Sequence, residues 1–145
     1  MFDFASDGRR EGDHLGINDK GLVTYDRKTR KDAFYFYKAN WTTEPFVYIT
    51  ERRFTPRNVA IGPIKTYSNC DSVELKLNNQ SLGTKTANDH VFVWPDITLI
   101  RGDNRLEAIG TQEGKQVFDS CTILFDPGWR PVRPYEPATR PTTQP

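Results

Sequence analysis

The sequence predicts a mainly β chain: an antiparallel sandwich preceded by one strand–loop–helix unit. Three observations carry this. Between Phe46 and Phe125, short runs alternate apolar and polar residues and are separated by Gly, Asn and Asp turns. Ahead of them, Phe34, Tyr37 and Trp41 fall at i, i+3 and i+7. Beyond Pro127 proline crowds in among Arg, Thr and Gln, the composition of an extended tail or linker.

The helix unit comes first. Gly12, Gly16 and Gly21 give a polar loop its backbone freedom. Thr29 is placed to cap the helix that follows, with Asp32 three residues on as the answering side of a capping box. Ala33, Phe36 and Asn40 lie beside the aromatic stripe of Phe34, Tyr37 and Trp41. At helical spacing that stripe reads as core rather than as a sugar-stacking platform, docked on the sandwich or on a second chain. Met1-Phe2-Asp3-Phe4-Ala5 reads as a short strand before the loop, which completes a βα unit. Loops so placed are where α/β barrels carry substrate-binding residues.

The strands follow in order. Phe46-Val47-Tyr48-Ile49-Thr50 and Ile64-Lys65-Thr66-Tyr67 are the first two. Ser72-Val73-Glu74-Leu75-Lys76-Leu77 alternates cleanly, turns through Asn78-Asn79-Gln80 and returns as Ser81-Leu82-Gly83-Thr84-Lys85. Val91-Phe92-Val93-Trp94 and Ile97-Thr98-Leu99 form the next, with Pro95 at an edge or bulge. Gly102-Asp103-Asn104 is expected as a tight turn before Arg105-Leu106-Glu107-Ala108-Ile109. Glu113-Gly114 turns the chain into a last strand ending at Phe125. About seven short strands at such spacings are the pattern of an immunoglobulin-type sandwich.

Composition excludes several classes. A net charge of +1 with both signs scattered leaves no nucleic-acid footprint. No apolar run approaches the roughly 18 residues of a membrane span. Asp3, Asp7 and Arg9 follow Met1 too closely for a signal peptide. Cys70 and Cys121 lack metal-type spacing; a disulfide is open if the sheets bring them together, and two buried thiols are the preferred reading. His14 and His90 suggest no metal pair, and no cofactor is expected. Arg101-Gly102-Asp103 spells an adhesion tripeptide where a turn is wanted anyway.

Three stretches carry a resemblance. Residues 2–9, the run Asn18-Asp19-Lys20-Gly21-Leu22-Val23-Thr24-Tyr25-Asp26-Arg27, and the run Lys31-Asp32-Ala33-Phe34-Tyr35-Phe36-Tyr37-Lys38-Ala39-Asn40-Trp41 resemble the last βα unit of the catalytic (β/α)8 barrel in glycoside hydrolase family 2. Val47-Tyr48-Ile49-Thr50 and Tyr67-Ser68-Asn69-Cys70-Asp71-Ser72-Val73-Glu74-Leu75 resemble the immunoglobulin-like domain behind that barrel. The resemblance covers residues 1–126. It implies three parts: a barrel remnant at 1–41, the sandwich at 45–126 and a proline-rich tail at 127–145.

The resemblance also implies a function. The parent would be a periplasmic or secreted bacterial β-glycosidase that hydrolyses terminal β-galactosides with retention, with β-glucuronides as the alternative substrate. Retaining glycosidases use two carboxylates, and the family's catalytic glutamates have no counterpart in this chain, so no catalytic residue is expected in it. The loop would line the rim of the parent's pocket, with Asp13, Asn18 and Lys20 as substrate-binding candidates. Asn-x-Lys suits a sugar carboxylate, since it offers an ammonium and an amide donor. Glu11 and Asp13 read as solvated loop carboxylates, because nothing here desolvates one of them. The implied partners are the β-galactoside, the missing N-terminal domains of the same enzyme and, through the aromatic helix face, a second copy; nucleic acid and membrane are not among them. The competing class is a stand-alone sandwich that binds carbohydrate or protein, which several exposed aromatics on one concave face would favour.

Overall fold

The computed structural model describes residues 10–11, 14–15, 21–24 and 27–130. The expected strand at residues 1–5, the loop candidates Asp13, Asn18 and Lys20, and the tail beyond Arg130 lie outside the described residues. Within the predicted loop, β1 (Arg10–Glu11) pairs antiparallel with β2 (His14–Leu15). Then come α1 (Asp32–Trp41) and seven strands: β3 (Val47–Ile49), β4 (Ile61–Ser68), β5 (Ser72–Leu77), β6 (Gln80–Lys85), β7 (Val91–Thr98), β8 (Gly102–Gln112) and β9 (Lys115–Phe125).

The seven strands form two antiparallel sheets, in the orders β3-β4-β7 and β6-β5-β8-β9. This is the predicted immunoglobulin-like sandwich with one variation. In the constant-type arrangement the fourth strand closes the first sheet; here β6 turns back beside β5. The reason is local. Asn78 and Asn79 both adopt positive φ and join β5 to β6 by a two-residue turn, so the strands pair as a hairpin. Glu113 and Gly114 do the same between β8 and β9, whose pairing runs from Gln112 opposite Lys115 to Gly102 opposite Phe125.

The core lies between the sheets. Ile49, Ile64, Phe92 and Trp94 come from the first, and Val73, Leu75, Leu106, Ala108 and Ile123 from the second. Each large apolar side chain buried there stabilises the fold by about 1.5–3 kcal/mol. Trp94 is core, and its indole N–H donates to the Gly83 carbonyl at 3.2 Å. Pro95 falls at a bulge: the register slips between Gly62 and Ile64, and Asp96 takes a positive φ. Long β9 is an edge strand whose C-terminal end is covered. Leu124 accepts from the Arg57 amide and donates to Thr55 Oγ1, and the Asp126 amide donates to the Arg57 carbonyl. No described helix is long and apolar enough to cross a membrane.

Three expectations are corrected. Asn104 is not in a turn. It sits in β8, fully buried, and its side chain accepts from the Ile100 amide at 2.9 Å and donates to the Ile100 and Gly102 carbonyls. It therefore holds the β7–β8 connection from inside. Thr29 does not cap α1. Its amide donates to Thr24 Oγ1 and its carbonyl accepts from the Thr24 amide, which closes a loop of its own, and Lys31 precedes the helix without a side-chain cap.

The third correction concerns the aromatic stripe. The sandwich takes a different diagonal of α1: Tyr35 stacks on Tyr48 with ring centroids 3.5 Å apart, Ala39 is buried, and Phe36 meets Tyr67 edge-on. Phe34, Tyr37 and Trp41 face away from it, Trp41 being 72% exposed. Helical spacing identified an apolar face correctly but not which side of α1 the sandwich would cover.

Two substitutions test the packing. A Cβ on Gly110 would lie 2.8 Å from Cys70 Sγ and 3.3 Å from Val47 Cβ. Gly110→Ala is expected to lower stability by about 1–3 kcal/mol in urea unfolding. Thr66 is fully buried and its hydroxyl has no hydrogen-bond partner among the described residues. Thr66→Val is expected to raise the unfolding midpoint, by up to about 1 kcal/mol of stability, because it removes a desolvated hydroxyl that nothing satisfies.

Candidate functional site at the helix–sandwich joint

Polar side chains converge where α1 meets the sandwich. Asp32 lies in the first turn of α1, and its carboxylate points at the sandwich rather than at its own helix. One oxygen accepts from the Tyr48 hydroxyl at 2.9 Å and the other from the Glu51 amide at 2.7 Å. Glu51 can present that amide because it turns the chain after β3 with φ 56°. Tyr48 is gripped on both faces, by the Tyr35 ring and by the Arg52 guanidinium 4.2 Å from its centroid. Arg52 donates to the Ile49 carbonyl at 3.1 Å and pairs with Asp119 of β9, whose carboxylate also accepts the Ile49 amide at 2.7 Å.

The electrostatics follow from this geometry. Burial, and then the Asp32 carboxylate, push the Tyr48 phenol well above its ordinary value. Burial works against the Arg52 charge, but Asp119 outweighs it and the guanidinium is held more firmly protonated. Burial raises the Cys121 thiol, against the opposing pull of Arg52. A second knot adjoins the first. Buried Arg57 donates to the Phe54 and Glu51 carbonyls, and Glu51 lies 3.7 Å from Arg57 and 3.5 Å from Lys65. Asp32 and Asp119 are both occupied, and Tyr48 keeps its proton. The chemistry available here is that of a clamp, not of proton transfer.

The remaining candidates disperse. Cys70 is buried, Cys121 half-buried, and both are free thiols. His90 occupies a left-handed turn with Nδ1 at 3.2 Å from the Ser68 carbonyl. Among the described residues no group of three His, Cys, Asp or Glu side chains could hold a metal ion. Besides a concavity lined by Phe54, Arg57, Val59, Ile61, Ile64 and Leu99, two others stand out among the described residues. One, of about 260 Å³, is lined by Leu22, Phe34, Tyr37, Lys38, Trp41 and Thr42. The other lies on the outer face of the four-stranded sheet, where Ile109 and the 68%-exposed Phe118 are flanked by Lys76, Arg105, Glu107 and Ser120. Sequence reasoning missed the clamp because Asp32 sits where a capping carboxylate would, while its donors are 16 and 19 positions downstream.

Sheet order and joint define a class: an immunoglobulin-like domain with a helix fastened at its N-terminal side. Its relatives are large β-glycosidases, β-glucuronidases and β-galactosidases, and it matches their C-terminal part. Residues 60–118 match a family described as a domain of unknown function, DUF4982. The chain is 42% identical over 127 residues to a β-glucuronidase of Bacteroides fragilis, across 86% of this chain and 18% of that protein. The crystal structure of an FMN-binding β-glucuronidase from Facaelibacterium prausnitzii L2-6 superposes with a TM-score of 0.69 at 41% identity, covering 87% of this chain and 18% of that one. A provisionally named β-galactosidase from Bacteroides fragilis gives 0.68 at 37% identity, over 73% and 16%. The chain thus spans less than a fifth of the length of these relatives.

The raised Cys121 thiol has a kinetic signature. Only the thiolate reacts, so at pH 8–9 Cys121 is expected to alkylate more slowly in the native chain than in the urea-unfolded chain, and to catch up as pH rises further. Mass spectrometry of iodoacetamide-quenched samples reads the site directly.

Proposed function

We propose that this chain is the helix-and-sandwich portion of a retaining β-glycosidase whose first substrates are β-glucuronides, and that it braces the catalytic part without performing chemistry itself. The observation that carries the reading is the identity of 41–42% over nearly nine-tenths of the chain with β-glucuronidases. It moves glucuronide ahead of the galactoside that the sequence favoured. Asn18-Asp19-Lys20 supports the same order, since an ammonium and an amide donor suit the carboxylate that separates a glucuronide from a galactoside. The clamp supports the bracing role. It fastens a helix to the sandwich through Asp32 and Asp119, both of which are engaged in hydrogen bonds. On the outer face of the four-stranded sheet Phe118 is the one exposed aromatic among the described residues, and the exposed Tyr37 and Trp41 belong to the cleft on α1 rather than to the sandwich.

Chromogenic β-glucuronide and β-galactoside assays test this on the purified chain and on the longer enzyme that contains it. The chain alone is expected to give no turnover. The longer enzyme is expected to prefer glucuronide, and Lys20→Ala in it to cost about 10- to 100-fold in kcat/KM for glucuronide, the equivalent of one charge-assisted contact, while leaving galactoside nearly unchanged. Turnover by the short chain, abolished by Glu11→Gln or Asp13→Asn, would overturn the bracing role.

A further inference from the structure

The joint holds α1 by unequal means on its two sides. The apolar side is a short diagonal of Tyr35, Phe36 and Ala39 against Tyr48, Tyr67 and Phe46. The Tyr35–Tyr48 stack sets a ring spacing, and Asn69 Nδ2 donates to the Thr42 carbonyl at the C-terminal end of α1 at 3.0 Å, which leaves the N-terminal end of the helix to be aimed. The polar side is directional. Each oxygen of the Asp32 carboxylate takes a different donor, the Tyr48 hydroxyl and the Glu51 amide. Both donors are fixed in the sandwich. Arg52 covers the ring of Tyr48 and is tied to Asp119 in β9, and Arg57 donates to the Glu51 carbonyl. Two bonds from one planar group define an angle as well as a distance.

What that angle serves is visible on the far side of the helix. The Lys31 amide donates to the Leu22 carbonyl at 2.8 Å, which holds Leu22 against the start of α1. Leu22 then forms one wall of the cleft whose other walls include Phe34, Tyr37 and Trp41. The alignment with the Facaelibacterium enzyme leaves out fewer residues than precede α1, so α1 lies within it whichever end is trimmed. Four-fifths of that enzyme lie outside the alignment. An apolar aromatic face on a helix shared with a chain so much longer has an occupant of matching chemistry at hand, the apolar side chains of the same polypeptide.

We propose that Asp32 is a positioning residue: through Tyr48 and the Glu51 amide it fixes the angle at which α1 stands on the sandwich, and so the direction in which the Leu22, Phe34, Tyr37 and Trp41 face meets the body of the larger enzyme. The occupant of the face rests on the function proposed above; the angle is a property of this chain alone.

Amide residual dipolar couplings measured on the chain test the angle. In the unsubstituted protein the couplings of α1 fit the alignment tensor defined by β4, β5, β7 and β8. In Asp32→Ala the α1 couplings are expected to lose that fit while those of the strands keep it. Tyr48→Phe, which removes one of the two bonds, is expected to fall between. A group that only added stability would lower the unfolding midpoint and leave α1 within the tensor, and that result overturns the proposal. If Asp32→Ala does not fold, Tyr48→Phe decides alone by the same criterion. Sedimentation equilibrium with acrylamide quenching of Trp41 fluorescence reads the occupant separately. A monomer with Trp41 open to quencher supports a face kept for the larger enzyme. A dimer with Trp41 shielded assigns the face to a second copy and overturns that part, whatever the couplings show about the angle.

Discussion

The contact between Arg52 and Asp119 is what the joint depends on. Asp119 gathers the Ile49 amide and the Arg52 guanidinium onto one carboxylate, which fastens β3, a strand of only three residues, to β9 in the opposite sheet. With Arg52 so placed, its guanidinium lies on the Tyr48 ring; with Tyr48 so placed, its hydroxyl reaches Asp32. Each step uses a group that the previous one has oriented. Arg52 and Asp119 are both largely shielded, so the loss of either would leave its partner poorly solvated as well as unpaired, the costly case for an ion pair.

The sandwich itself is conventional in its energetics and needs no such device. Its inward side chains alternate with outward ones along β5, β7 and β8, and its two-residue turns are built from the residues that tolerate positive φ. The joint is different because it must hold a helix with little apolar area to offer. Ala39 is the only residue of α1 that is buried outright, so side-chain chemistry takes over where burial runs short.

Much of this was legible in the sequence because it is local. Alternation in Ser72–Leu77 and the Asn78-Asn79 turn each specify their hairpin within a dozen residues, and the bulge at Pro95 follows from a ring that cannot donate. What failed was non-local. Asn104 has the composition of a turn, and only the fold reveals that its side chain is swallowed by the loop it organises. Asp32 and Thr29 stand at capping distance, yet tertiary donors outcompeted the helix for the carboxylate. Phe34, Tyr37 and Trp41 obey the helical period, but a period says which residues share a face and nothing about which neighbour covers it. Asp13, Asn18 and Lys20 stand on the family resemblance alone, outside the described residues.

The span between Asp119 and Ile49 also carries a consequence for synthesis. Seventy positions separate the two ends of that hydrogen bond, and β9 is the last strand of the sandwich. On a ribosome the chain emerges N-terminus first at a few to about 20 residues per second. The helix and β3 are therefore exposed for several seconds before the carboxylate that fastens them arrives. During that interval the aromatic side chains of α1 are free to seek other apolar surface, and any catalytic body synthesised ahead of them would be the first such surface they meet. The order of residues along the chain thus leaves the helix unfastened until β9 has been made, with Asp119 closing the joint last.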